Sequence, residues 1–245
     1  MRERRSWVVA AVLLLGGAAA AAGAVREHWL SCRGSMLSGS VLHGYAYGPD
    51  FSDACLEAMD RGFALVWPGP VDPWAPEPLL GTVSALLLAL AWTVVVLGSR
   101  WSPLTRVVAG LPGVATATAG LVSLVGGDGD LLASVFSWLL VAVDLLAVVA
   151  FVAIGVRESP DRRTLGQVAL VLLASTAVGF FPSVTDYVLM TWLSDANWDS
   201  PPGSGYPTVA AVALLALALL VVTLAPGSRR SASTGPVVAP AGANA

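Results

Sequence analysis

The chain has 245 residues, 56% hydrophobic and only 12% charged, with a net charge of −3, a pI near 5.3 and a mean hydropathy of +0.75. A soluble domain carries about 25% charged residues, so water is the wrong solvent for most of this chain. The mild negative charge and scattered arginines exclude a nucleic-acid binder, and the polar segments are too short for a separate catalytic domain of roughly 100 residues.

Residues 1–5 form a basic head, followed by an apolar run from Trp7 to Val25. These 19 residues approach the roughly 20 that cross a bilayer as a helix. The run reads as a retained anchor. A cleaved signal peptide is the alternative, because Gly16, Gly17 and the alanines after them resemble an apolar core running into a small-residue cleavage site. Either way Arg26 lies on the exported side.

Five further spans are expected at Leu79–Gly98, Leu104–Val125, Leu131–Gly155, Leu165–Leu189 and Thr208–Leu224. Backbone in hydrocarbon must satisfy its own N–H and C=O groups, and these continuously apolar runs lack the alternation of barrel strands. The expected fold is therefore all-α, a polytopic membrane bundle of about six helices with a small disulfide-stapled exported loop. Its parts are the anchor or signal peptide (1–25), the exported loop (26–78), a five-helix bundle (79–225) and a disordered cytoplasmic tail (226–245). Gly179-Phe-Phe-Pro182 is expected to kink or break the fifth span near its outer end, because Pro182 removes a backbone donor, and Ser183 with Asp186 to form a capping box for a second helical piece.

Every basic residue is arginine, which fits GC-rich bacterial codon usage. With both termini cytoplasmic, ten arginines fall inside and only Arg26, Arg33 and Arg61 outside, a positive-inside bias. Trp7 and Trp101 then mark the inner interface, and Trp29, Trp67, Trp74 and Trp192 the outer one. The expected location is a bacterial plasma membrane.

The exported loop holds both cysteines and both histidines. Ser52 is suited to cap a short helix ended by Gly62, with Cys55, Leu56 and Met59 as its apolar stripe. Residues 34–48 read as a loop or weak hairpin. So small a loop needs a staple, and on the oxidising side that staple is a Cys32–Cys55 disulfide. The competing reading is a metal site of His28, Cys32, His43 and Cys55, with Met36 and Met59 favouring copper(I). A triad of His43, Asp53 and Ser35 or Ser38 lacks a nucleophile motif. No cofactor is implied.

Asp144 falls near the middle of its span, where a carboxylate costs about 2.5–3.5 kcal/mol to insert. It reads as hydrogen-bonded to a hydroxyl at similar depth (Ser175, Thr176, Thr116 or Thr118), with a proton or cation relay as the functional alternative. Asp186 reads as a cap at the interface, or as the lining of an outward cavity. Gly110, Gly113, Ala117 and Gly120 form a small-residue face for close helix packing.

Three functions compete. The first is a non-catalytic subunit or assembly factor of an envelope complex, with the lipid bilayer and a membrane-protein partner or second copy as its partners. The second is the membrane subunit of a transporter, since six spans with both ends inside resemble an export permease whose ATPase is a separate chain. The third is an exported-face redox or metal-binding protein.

Overall fold

The computed structural model describes residues 2–32, 52–68, 72, 74–125, 130–194 and 202–225. The weak hairpin, His43, Met36, Ser35, Ser38 and the tail after Ala225 lie outside these residues. Among the described residues there are helices and no strands. They are α1 (Arg2–His28), α2 (Asp53–Arg61), α3 (Pro76–Gly98), α4 (Pro103–Val122), α5 (Asp130–Arg157), α6 (Arg162–Ser175), α7 (Phe180–Ser194) and α8 (Tyr206–Leu224). Five of them are long and apolar enough to cross a membrane, or six spans if the bent pair α6–α7 counts as one.

Local signals explain most helix ends. Pro76, Pro103 and Pro207 occupy first turns, where a missing N–H costs nothing. Ser52, Ser102 and Asp161 accept from Cys55, Thr105 and Thr164 N–H respectively. Arginines close the other ends: Arg106 donates to the Ser99 carbonyl at 2.9 Å, and Arg163 donates to the Val222 and Ala225 carbonyls at the end of α8.

The helices form a ring. α1 packs between α3 and α8, α4 lies between α3 and α5, and α7 bridges α5 to α8. α6 sits inside this ring against α1, α3, α5 and α8. The core includes Leu14 of α1, Leu88 and Trp92 of α3, Ala109 and Ala119 of α4, Val143 of α5, Val171 of α6 and Leu219 of α8. Trp92 is fully buried, and its indole N–H donates to the Ala109 carbonyl beside the site where Pro112 removes a helical donor. Of the small-residue face on α4, Gly113 and Gly120 pack against α3, Ala117 is half-buried, and Gly110 faces open space.

One end of the bundle carries the disulfide, and the other gathers Arg4, Arg100, Arg106, Arg157, Arg162 and Arg163. Cys32 and Cys55 are bonded, with Cα atoms 4.8 Å apart. The apolar face of α2 consists of Cys55, Ala58 and Met59; Leu56, expected in that stripe, is exposed. Gly62 ends α2 at φ 67° but ψ 161°, so the sign of φ is as expected and the left-handed helical geometry is not adopted. Replacing both cysteines by serine should cost roughly 3 kcal/mol, because the bond closes a loop with a sequence separation of 23. A lower Tm in detergent reads this, and an unchanged Tm would contradict it.

At the arginine end, Glu158 accepts from Ser102 N–H at 3.0 Å. Hydrogen bonds from Thr105 and then Ser102 hold its carboxyl below the ordinary 4.5. A depressed folded-state value contributes stability above pH 4.5 that disappears as pH falls through the lower folded value. Glu158→Gln should lower the Tm slightly at neutral pH and flatten the acid-side slope, so that the melting curves of the two proteins converge as pH falls.

Candidate functional site

The fifth expected span is two helices. α6 stops at Ser175 after 14 residues, α7 starts at Phe180, and the pair is bent by 75°. The break lies at residues 176–179, ahead of Pro182, which falls in the first turn of α7 where proline is tolerated. The capping box expected from Ser183 and Asp186 does not form. Ser183 Oγ donates to the Gly179 carbonyl at 2.9 Å, and Asp186 faces a different helix.

A helix that starts in mid-bundle exposes N–H groups that apolar surroundings cannot satisfy. Asp144, at the middle of α5, supplies the acceptor: its Oδ2 takes the Phe181 N–H at 2.8 Å. The partner is thus backbone at a helix start, not the expected hydroxyl. The hydroxyls are used elsewhere: Thr116 donates to the Ser175 carbonyl, and both Ser175 and Thr176 donate to the Leu172 carbonyl. Thr118 is exposed. Gly179 lets the carboxylate approach, since a Cβ there would collide with the Asp144 side chain.

Asp186 repeats the device one helix later. It is 6% exposed and accepts from Gly205 N–H at 2.6 Å, Thr208 N–H at 2.9 Å and Thr208 Oγ1 at 2.9 Å. Gly205 has φ 101°, and a Cβ at that position would meet Phe63 and Val25. Both deep carboxylates therefore cap helix N-termini across helix boundaries, where a negative charge also meets the positive end of the helix dipole.

The two acids border one apolar groove of about 500 Å³ between α5, α6, α7 and α8. A second hollow of about 330 Å³ continues it between α5 and α6, sharing Ala147, Val148, Leu173 and Thr176. On its other side Asp186 borders a narrow cavity of about 30 Å³, covered by Phe63, Ala64 and Leu65.

Those covering residues belong to a strap, Phe63–Trp67, that follows α2 and dips into the bundle. Val66 is buried in the main core, Trp67 packs edge-on against Phe136 with ring centres 5.6 Å apart, and Gly81 admits the Leu65 carbonyl. The apolar run Phe-Ala-Leu-Val-Trp straight after the helix-ending glycine was the signal for it.

His28 is buried at the end of α1. Its Nδ1 lies 2.7 Å from Glu77 Oε1 and its Nε2 lies 3.1 Å from the Ala58 carbonyl, while Arg61 donates to Glu77 Oε2 at 3.2 Å. The cluster ties α1, α2 and α3 together. Of the four donors of the alternative metal site, two are joined as a disulfide, His28 faces Glu77 and Ala58, and His43 is outside the described residues. Among the described residues no three His, Cys, Asp or Glu side chains converge in a metal-holding group.

The chain matches no protein-family model, and no curated protein and no solved structure matches it.

Proposed function

We propose that the protein is a non-catalytic subunit or assembly factor of a cell-envelope complex in a bacterial plasma membrane, with both termini cytoplasmic and the disulfide end exported. The observation that carries this reading is the use made of the reactive groups. Asp144 and Asp186 cap helices, Cys32 and Cys55 form a staple, and His28 and Glu77 hold α1, α2 and α3 together. Each supports a shape, and that shape is a rigid exported face mounted on membrane helices. The close packing of α1 against α3 and α8 favours its retention as an anchor.

A specific observation favours transport as the second reading. A membrane helix broken at mid-depth beside a groove bordered by two carboxylates is the layout of many substrate sites in carriers. Affinity purification from native membranes in mild detergent, followed by proteomics, separates the two. The accessory reading expects a stoichiometric membrane complex whose recovery is lost when the exposed surface of α2 is altered, for example by Leu56→Arg. A stoichiometric ATPase, with recovery insensitive to Leu56→Arg, would replace it with transport.

A further inference from the structure

We infer that the groove between α5, α6, α7 and α8 is a binding site for one acyl chain of a phospholipid whose anionic headgroup sits at Arg162. The groove opens on the flank of the bundle and its walls are apolar side chains from four helices. Its combined hollows of about 500 Å³ and 330 Å³ fall in the range of roughly 300–1,000 Å³ typical of small-molecule sites.

Four features choose the occupant. First, the floor of the groove runs along α6. Ala169, Leu173 and Thr176 share a face with Arg162 and Gly166 at seven- and four-residue helical spacing. The ten residues of helix from Gly166 to Ser175 cover about 15 Å, the hydrocarbon depth of one leaflet. Second, a Cβ at Gly155 or at the exposed Gly166 would meet no atom within 4 Å, so no side chain covers either position between the hollows and the arginine end. Third, Arg162 at that end is exposed and makes no ion pair among the described residues. The two acids nearest it in sequence are engaged elsewhere, Glu158 with Ser102 N–H and Asp161 with Thr164 N–H. Fourth, the far end stops at Asp144 and Asp186, whose carboxylates are turned into helix caps, so a chain end meets apolar walls and no charged partner.

The occupant packs where the ring lacks a full-length helix. α6 fills only the arginine half of the gap between α5 and α8, and α7 starts beyond it. The acyl chain completes the packing there, and the positive charge of Arg162 selects a phosphate-bearing head without a compensating ammonium.

The test uses the full chain in nanodiscs containing a photoactivatable acyl chain on phosphatidylglycerol or on phosphatidylcholine. The expected result is labelling of residues 144–151 and 169–176 several-fold above the lipid-facing side of α4 at Leu111 and Val114. Phosphatidylglycerol should label better than phosphatidylcholine by about fivefold, the weight of one basic residue near an anionic surface. Gly166→Leu enters open space and should keep the Tm while removing the excess labelling. Arg162→Gln, which leaves the groove intact, should remove only the preference for phosphatidylglycerol. Labelling equal to that of α4, or unchanged by Gly166→Leu in a protein of normal Tm, would overturn the site. Equal labelling by the two lipids in the unaltered protein would overturn the headgroup assignment.

Discussion

Gly81→Ala should destabilise the protein by about 2 kcal/mol or more, although alanine is ordinarily the better helix former by about 1 kcal/mol. A Cβ on Gly81 would fall inside 3.0 Å of the Leu65 carbonyl oxygen. The obstacle is backbone, which no rotamer change relieves, so the cost belongs at or above the usual 1–3 kcal/mol of overpacking. Relief requires the strap to lift, and the strap carries Val66 in the main core, Trp67 against Phe136 and Phe63 beside Gly205. The measurement is the Tm in a mild detergent, with Gly110→Ala as the control. Gly110 lies in α4 with no atom within 4 Å of a Cβ, so the same substitution there should be neutral or stabilising. Equal Tm values for the two variants would mean that the strap does not sit against α3.

Asp144→Ala should cost about 3 kcal/mol, whereas Asp144→Asn should cost less than about 1 kcal/mol. Alanine removes an ionisable acceptor from the Phe181 N–H and leaves the first turn of α7 uncapped in apolar surroundings. Leaving a buried donor without a partner costs about 1–3 kcal/mol, and losing a helix cap about 0.5–2 kcal/mol. Asparagine keeps an acceptor oxygen of the same reach and loses mainly the charge. Unfolding in detergent compares the pair, and a matched loss in both would show that the charge, not the acceptor, holds α7. The asparagine variant also separates structure from transport: a folded Asp144→Asn protein that retains its cellular activity excludes a proton relay at this residue.

The all-helical plan was legible because hydrocarbon leaves so few choices. Continuous apolar runs of about 20 residues have one stable form, and the disulfide followed from two cysteines in one short polar segment. The break in the fifth span was expected across Gly179 to Pro182, on the strength of the proline, and lies just ahead of that proline at residues 176–179. Pro182 fits a first helical turn, while Gly179 marks the close approach of a carboxylate from another helix. Asp144 and Asp186 stood out as costly residues, but their partners did not. Both bond to backbone N–H groups on other helices, and backbone carries no sequence signal of its own. The strap was missed because five apolar residues outside a span resemble an ordinary loop, and their burial depends on the shape of three other helices. Similarly, His28 found Glu77 across 49 positions of chain, a meeting that only the folded bundle defines.

The neighbourhood of α1 and α8 sets a condition on how the protein is made. α1 packs against α8, and Trp29 donates to the Ser204 carbonyl just ahead of α8, across 175 positions of chain. Until translation reaches Tyr206, one flank of α1 has no mate and Asp186 holds a carboxylate whose partners have not been synthesised. The membrane insertion machinery must therefore shelter a half-closed ring until α8 is made. A transcript cut short ahead of residue 205 yields a chain with every earlier span and an unsealed acid, a ready substrate for membrane quality control.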